Sequence, residues 1–572
     1  MNERFYRAFL SVLILRGSGF TAIAPVLAED PAPLQYEGKQ PSAADLTLPE
    51  SFPARELADS PPPERPVEPS ETRYTLTPLQ LFPTRLVNVE TANTLPAGSL
   101  MLSVGSRVFS RGDTGSGTGL QVYSASIDGG VSDRLQLGLG VTFFDDRLGR
   151  SFQQGVPYLG ILNFAPNFKY RFLENEKFSL AVAGSLEIGK FTGSNGLYTR
   201  SGQGTSTTVG GSLQVPFTYN LSPTLQGHLV PGIIFWPGSI NNGGDFYGTF
   251  LNLGAGLNFR PIDRVTLFTD LNIPVTSGNA VNTRGSIVQE LVWSAGLTYL
   301  HSPAVALDVY ATNSLGSTPA TRPLAFIPDG GEVALGVNLR YTPDLGRGYP
   351  TSFRRTAAPL SSRDRQLLFN GITVTSPETL VTGMVSLQGG TGAGLNFQLS
   401  YGLSDDAQFM FVGQQLGDND TSIDDNSFKV GAYSKLRFLS QKDGDPFSLS
   451  LAGGFEQGTD TGGGGGLFSA ELAFLYRIDP RLALVFNPKA GFYGSDSQWG
   501  AGFGINYEVW NGIQLIGEVT PIISGEVRDT IWATGIRYLN PEWNAGIDLY
   551  ATNAAGTYGI GGLISRSNDR VA

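Results

Sequence analysis

The chain has 572 residues, no cysteine, 74 glycines and only 16% charged side chains, with a formal net charge of -11. The missing cysteine excludes a disulfide framework, a thiolate nucleophile, a cysteine zinc site and a lipobox. The acidic balance gives no electrostatic reason to bind nucleic acid, whose phosphates call for clustered lysine and arginine, and a charged fraction well under the roughly 25% of soluble domains leaves few groups for a conventional solvated surface.

In chain order, residues 1–28 read as a signal peptide. Arg4 and Arg7 precede the apolar run Ala8 to Leu15, and Val26-Leu27-Ala28 supplies a small-residue cleavage site. Residues 29–83 are proline-rich and acidic, with "SPPPERPVEPSE" at their centre and no apolar period, so an extended periplasmic segment is expected there. That segment is also the place where a periplasmic or cell-wall partner would bind. Beyond it no apolar stretch reaches the roughly 18 residues that a membrane helix needs, so any crossing of a bilayer is made by strands.

From residue 84 to 342 segments of about ten residues alternate apolar and small polar side chains, the length and period of tilted membrane-crossing strands. "VSDRLQLGLGVTFFDD" sets Leu135, Leu137, Leu139, Val141 and Phe143 against Gln136, Gly138, Gly140 and Thr142. The connections alternate in length: "LENEK", "LSPT" and "RPIDR" are tight, whereas "KFTGSNGLYTRSGQGTS" and "PGSINNGGDFY" are long. Short turns on one side and long loops on the other are the pattern of outer-membrane barrels. Gly-rich Gly112 to Gly119 and Gly458 to Phe468 join strand to strand and so are hairpin loops, not phosphate loops. Acidic Gly417 to Ser427 lacks the spacing of a calcium loop and reads as a hydrated surface loop.

Residues 343–370 form a basic linker, and residues 371–572 then repeat the first half in order. "VSDRLQLG" is answered by "LSDDAQFM", "FSLAVAGSLEIG" by "FSLSLAGGFEQG", and "LDVYATNSLG" by "IDLYATNAAG". The expected fold is all-β: a transmembrane antiparallel up-and-down β-barrel, tandem duplicated as two barrels of about 12 strands each, with one barrel of about 24 strands as the alternative.

Strand alternation turns a set of charges inward: Lys169, Arg171, Glu187, Asp270 and Asp308, with counterparts Lys435, Arg437, Glu456, Glu518 and Asp548. Buried charge in a barrel persists when paired or hydrated, so these ten are candidates either for a salt-bridge network or for a charge-selective constriction. Aromatics near strand ends, Tyr170, Phe172, Trp293, Tyr299, Tyr341, Trp499 and Trp510, suit interfacial girdles. Catalysis is not expected: His228 shares the inward register, His301 sits in a tight turn, and neither suits a Ser-His-acid arrangement. No cofactor or metal is expected either.

On these residues the chain resembles the bacterial outer-membrane β-barrel class. The segments opening the halves, "VNVETANTLPAGSLMLSVG" and "ITVTSPETLVTGMVSLQGG", resemble the repeat-starting motif of two-barrel outer-membrane proteins of exopolysaccharide secretion. The resemblance implies location in the outer membrane, contact with its lipid and with the outer-membrane assembly machinery, and passage of small hydrophilic solutes or assistance to polysaccharide secretion. The other expectation is a non-conducting structural or assembly protein with packed lumens.

Overall fold

The computed structural model describes residues 76–109, 121–148, 151–350, 352–353, 371–391, 394–421, 423, 428–458, 466–493, 496–540 and 545–567. The signal peptide, most of the proline-rich segment, the Gly112 to Gly119 loop and most of the linker lie outside these residues.

The first half is a closed wall. Its strands are β1 (Leu100–Phe109), β2 (Gln121–Ser132), β3 (Leu135–Arg147), β4 (Tyr158–Glu174), β5 (Phe178–Ser194), β6 (Gln203–Gln214 with Phe217–Ser222), β7 (Leu225–Phe235), β8 (Thr249–Ile262), β9 (Val265–Pro274), β10 (Val292–Ser302), β11 (Val305–Thr312) and β12 (Ala334–Tyr341). The sheet has thirteen segments. Two of them are one strand, β6, broken where Pro216 has no N–H to give the ladder, so the wall has twelve strands. Each pairs antiparallel with the next, and β12 returns to β1 from Leu102 opposite Tyr341 to Phe109 opposite Ala334. Closure leaves no unpaired edge, as a wall in hydrocarbon requires.

Alternation places the side chains as the sequence requires. On β3 Leu137 is 49% exposed on the outer face while Gln136 is 4% exposed inside. The same holds around the wall, with Leu186, Ile188, Leu251, Leu253, Val309 and Val337 outside and Thr142, Asn163, Asn252 and Ser294 inside. The turn between β2 and β3 is tight because Ser132 Oγ accepts the amides of Arg134 and Leu135 at 3.3 and 3.1 Å. At the opposite end the long connections fold over the mouth into an apolar cluster that includes Phe144, Phe191, Tyr198, Trp236, Phe246 and Phe326.

The second half departs from the expected twin barrel. Its strands are β13 (Val385–Gly390), β14 (Asn396–Ser404), β15 (Ala407–Gln415), β16 (Phe428–Leu439), β17 (Ser448–Gly458), β18 (Leu467–Arg477), β19 (Leu482–Tyr493), β20 (Asp496–Trp510), β21 (Ile513–Thr520 with Ile522–Ser524), β22 (Ile531–Asn540) and β23 (Ala545–Thr552). The sheet has twelve segments, but two are one strand broken at Pro521, leaving eleven. Closure into a second barrel is therefore a corrected expectation. β23 matches β11 in sequence, and among the described residues no strand corresponding to β12 follows it. With an odd number of antiparallel strands, β13 and β23 run in the same direction and cannot form the antiparallel pair that closes the first wall. Their outward side chains are among the most exposed in the chain, Leu387 at 76% and Leu549 at 77%, although Tyr550 Oη still donates to the Thr391 carbonyl at 3.3 Å. The two sheets share no strand pairing, so the alternative of one barrel of about 24 strands is also set aside.

The halves touch toward the long-loop side, where Tyr123 packs on Phe455 with ring centroids 4.5 Å apart, and also at their short-turn ends. His301 Nε2 lies 2.8 Å from the Asp406 carbonyl, and Ala304, Val305 and Tyr341 pack on Leu403, Ala407 and Leu436. Tyr341, expected in an interfacial girdle, is buried in this contact instead. Tyr170, Phe172, Trp499 and Trp510 do point outward.

Candidate functional site

The lumen of the first barrel is occupied from both ends, and the inward charges hold the occupants. From the short-turn side, residues 77–99 enter before β1. Lys169 on β4 reaches them through Glu90 Oε2 at 2.7 Å and also donates to the Thr84 carbonyl. Arg322, from the loop after β11, takes the other oxygen of Glu90. Around the wall Asp270 accepts the Asn88 amide at 3.1 Å, Thr218 Oγ1 accepts the Ala92 amide at 2.9 Å, and Gln136 Oε1, beside Lys169 on the next strand, accepts the Leu95 amide at 3.2 Å. Each bond satisfies a main-chain donor that an irregular segment inside a barrel would otherwise leave unpaired. Burial opposes ionisation of Glu90, yet Lys169, Arg322 and Arg85 together outweigh it and hold its carboxyl down at about 2.

From the long-loop side, the connection between β11 and β12 dips inward. Glu187 on β5 accepts from the Ala320 amide, from Thr318 Oγ1 at 2.7 Å and from Asn163 Nδ2. Among the described residues no cation meets Glu187, which is held by neutral donors. Asp308 is paired along the wall, with Arg340 at 2.7 Å and Thr298 Oγ1 at 2.7 Å. Arg171 lies at the short-turn rim, against Glu174 at 2.9 Å and the Asp133 carbonyl, so it does not belong to the mid-lumen group.

In the second half the corresponding residues again hold inserted chain, with the carboxylate of that chain, Glu378, taken by Arg437 where Glu90 is taken by Lys169. Lys435 Nζ donates to the Ser376 carbonyl at 2.8 Å, and Glu518 accepts the amides of Ile372 and Thr373, each at 2.7 Å. Glu456 accepts from Tyr433 Oη at 2.6 Å and Gln414 Nε2 at 2.8 Å, and the same Gln414 nitrogen donates to the Tyr558 carbonyl of the last loop. Arg437 pairs with Glu378 and Asp406, both at 3.0 Å. Smaller details recur: Thr94 and Thr379 each donate to the carbonyl of the matching turn aspartate at 2.6 Å. One difference lies at the open seam of the described sheet. Asp308 takes its arginine from β12, whereas Asp548 takes Arg537 from β22 at 2.6 Å, on the side where a neighbour exists.

Several members of the lumen were not singled out in the sequence. Glu90 and Glu378 precede the first strand of each half, where no period marks them. Arg107 on β1 follows the inward register of Met101, Ser103 and Gly105, and alternation alone was enough to find it. Arg85 meets Asp128 at 3.0 Å, and Lys489 donates to the Thr373 carbonyl at 2.7 Å. Among the described residues no group of acidic or histidine side chains is arranged to hold a metal.

A closed antiparallel wall with an aliphatic outer face and a polar, charged interior is the architecture of an outer-membrane β-barrel protein. No protein-family model matches the chain, and no curated protein sequence does. Solved structures similar to it include the KdgM porin, at 11% identity over 42% of this chain and 98% of that one with a TM-score of 0.27. The NanC porin aligns at 9% identity over 42% and 98%, with a TM-score of 0.26. The COG4313 outer membrane channel from Pseudomonas putida F1 aligns at 15% identity over 44% and 97%, with a TM-score of 0.29. With scores this low, the class of the protein rests on the wall itself.

Proposed function

We propose that this is an outer-membrane protein whose first barrel passes small hydrophilic solutes, gated by residues 77–99 from one end and by the Ser314 to Arg322 loop from the other. The observation that carries this reading is a cavity of about 80 Å³, lined by polar, charged and apolar side chains, beside β1 between the wall and both inserted pieces. A lumen built only for strength has no need of such a space, because close packing would stabilise it further. On this reading the wall charges serve twice: Lys169, Asp270 and Glu187 anchor the gates, and together with Asp308 they set ion preference once the gates move. In the second half Lys435, Glu456, Glu518 and Asp548 would act likewise. Assistance to polysaccharide secretion has no feature of the lumen that supports it.

A second reading, a non-conducting structural barrel, is favoured by the aromatic cap. There Phe191 packs edge-on against Trp236 at 5.5 Å and against Phe246 at 5.1 Å, well ordered for a mouth that must open. Liposome swelling separates the two. Liposomes carrying the purified full chain should swell in small sugars faster than empty ones, with a size cut-off. Equal rates would leave only the structural reading.

A further inference from the structure

Chain enters the first barrel from both ends, and the two pieces meet at an ion pair. Glu90 belongs to the segment that enters from the short-turn side, and Arg322 to the loop that dips in from the other; they join beside the cavity that both pieces line. Both groups are buried, at 8% and 5% exposure. Arg322 is also the brace of its own loop. Its Nε donates to the Ser317 carbonyl at 2.7 Å, and its carbonyl accepts Ser314 Oγ at 2.8 Å, so the place of its guanidinium and the closure of the loop depend on each other. Wall anchors hold one piece each: Glu187 takes Thr318 and Ala320 of the loop, and Asp270 takes Asn88 of the segment.

The second half supplies a comparison within the same chain. Val89 packs on Gly254 and Val374 on the matching Gly502, and Thr94 and Thr379 bond the matching turn aspartates. The inserted segments therefore align at a constant offset, and Glu90 is answered by Thr375. The bridges Ser314 to Ala325 and Ala554 to Ser565 align the two loops without a gap, and Arg322 is answered by Gly562. Both members of the pair are thus replaced together by uncharged residues. Glu378 stands three residues beyond Thr375 and is taken by Arg437 of the wall. Gly562 still lies against Thr373, but that contact carries no charge.

A buried ion pair resists the loss of one partner, because the charge left behind stays in a low-dielectric interior. If the segment left alone, Arg322 and Lys169 would remain in the lumen without Glu90; if the loop left alone, Glu90 would keep one cation of two. States with one piece in and the other out are therefore disfavoured, which is a coupling between the two mouths, reciprocal by necessity. We propose that the pair of Glu90 and Arg322 makes the first barrel a relay across the membrane: displacing the outer loop loosens residues 77–99, and drawing on those residues loosens the loop. The second half, with Thr375 and Gly562, holds its two pieces independently. The relay rests on the reading of the two pieces as gates and adds that they open as one.

Hydrogen exchange of the purified full chain in detergent tests it, read at residues 86–95 of the segment and 314–322 of the loop. Glu187→Gln alters an anchor of the loop alone. It should speed exchange at residues 86–95 about fivefold or more, and in an Arg322→Gln background the same change should have no effect there. Asp270→Asn, which alters an anchor of the segment, should speed residues 314–322 and lose that effect in the same background. Amides of β2 should keep their rates throughout, which separates a relay from general loosening, and Glu456→Gln in the second half should leave residues 371–376 unchanged. An equal effect with and without Arg322 would overturn the proposal by sending the coupling through the wall, and so would a segment that ignores the loop. Arg322→Gln by itself must speed both pieces; an unchanged segment there overturns the proposal even if neither anchor variant folds. Exchange requires no solute passage, so coupled exchange in a protein that fails to swell liposomes keeps the relay and removes the passage reading, whereas swelling with uncoupled exchange does the reverse.

Discussion

Lys169 and Glu90 meet at 2.7 Å inside the first barrel, one from the wall and one from the segment that enters it. The pair is buried, and Arg322 joins it from the loop at the other end, so a single carboxylate ties both inserted pieces to the wall. Removing the carboxylate strands both cations without counter-charge. Glu90→Gln is therefore expected to cost about 3–5 kcal/mol. Urea unfolding of the refolded protein checks this, and the double variant Lys169→Met with Glu90→Gln should recover part of the loss.

The same carboxylate predicts a pH response. Its folded value lies below the ordinary one, from 4.5 down to about 2. A depressed acid contributes stability above its unfolded pKa and loses that contribution as pH falls toward the folded value. Hold on the inserted segment should be constant from pH 7 to about 5 and decline between about 4.5 and 2, by roughly 3 kcal/mol in all. Protease susceptibility of residues 77–99 across this range reads the effect, and Glu90→Gln should flatten the decline.

Leu186 and Ile188 stand on the outer face of β5 and Glu187 between them faces the lumen. A charge placed on the lipid side of a barrel costs about 2–4 kcal/mol at mid-membrane. Leu186→Arg should lower folding stability in lipid vesicles by that amount. A water-facing sheet would accept the same arginine with no measurable change.

β23 is paired on one side only, while its counterpart β11 is paired on both. Amides of Ala545–Thr552 should exchange with deuterium at least tenfold faster than those of Val305–Thr312, because a singly paired edge opens without disturbing a second ladder. Equal protection would mean that the second sheet acquires a partner for this strand in the membrane.

Much of the wall was legible in the sequence because alternation depends on nearest neighbours. Leu137 and Gln136, or Ile188 and Glu187, are sorted by one residue of register, and short turns such as Ser132 to Leu135 show where the sorting reverses. The inward position of Lys169, Glu187, Asp270 and Asp308 follows from the same rule. What they touch does not, because Glu90 and Ala320 come from irregular chain with no period to place them. Arg171 shows the limit within a strand: register gives its side of the wall but not its height, and height puts it at the rim with Glu174. The open seam between β13 and β23 was hidden for another reason. Sequence matching pairs β23 with β11 and is silent on β12, whose counterpart matters only when the ends of the sheet must meet.

The gated lumen is tested most directly by planar-bilayer recording of the purified full chain beside Glu90→Gln, which frees Lys169 and Arg322 together. The account predicts brief, infrequent openings in the unaltered protein and longer or more frequent openings in the variant. Silence from both proteins, inserted and correctly folded by their heat-modifiable gel mobility, would contradict it.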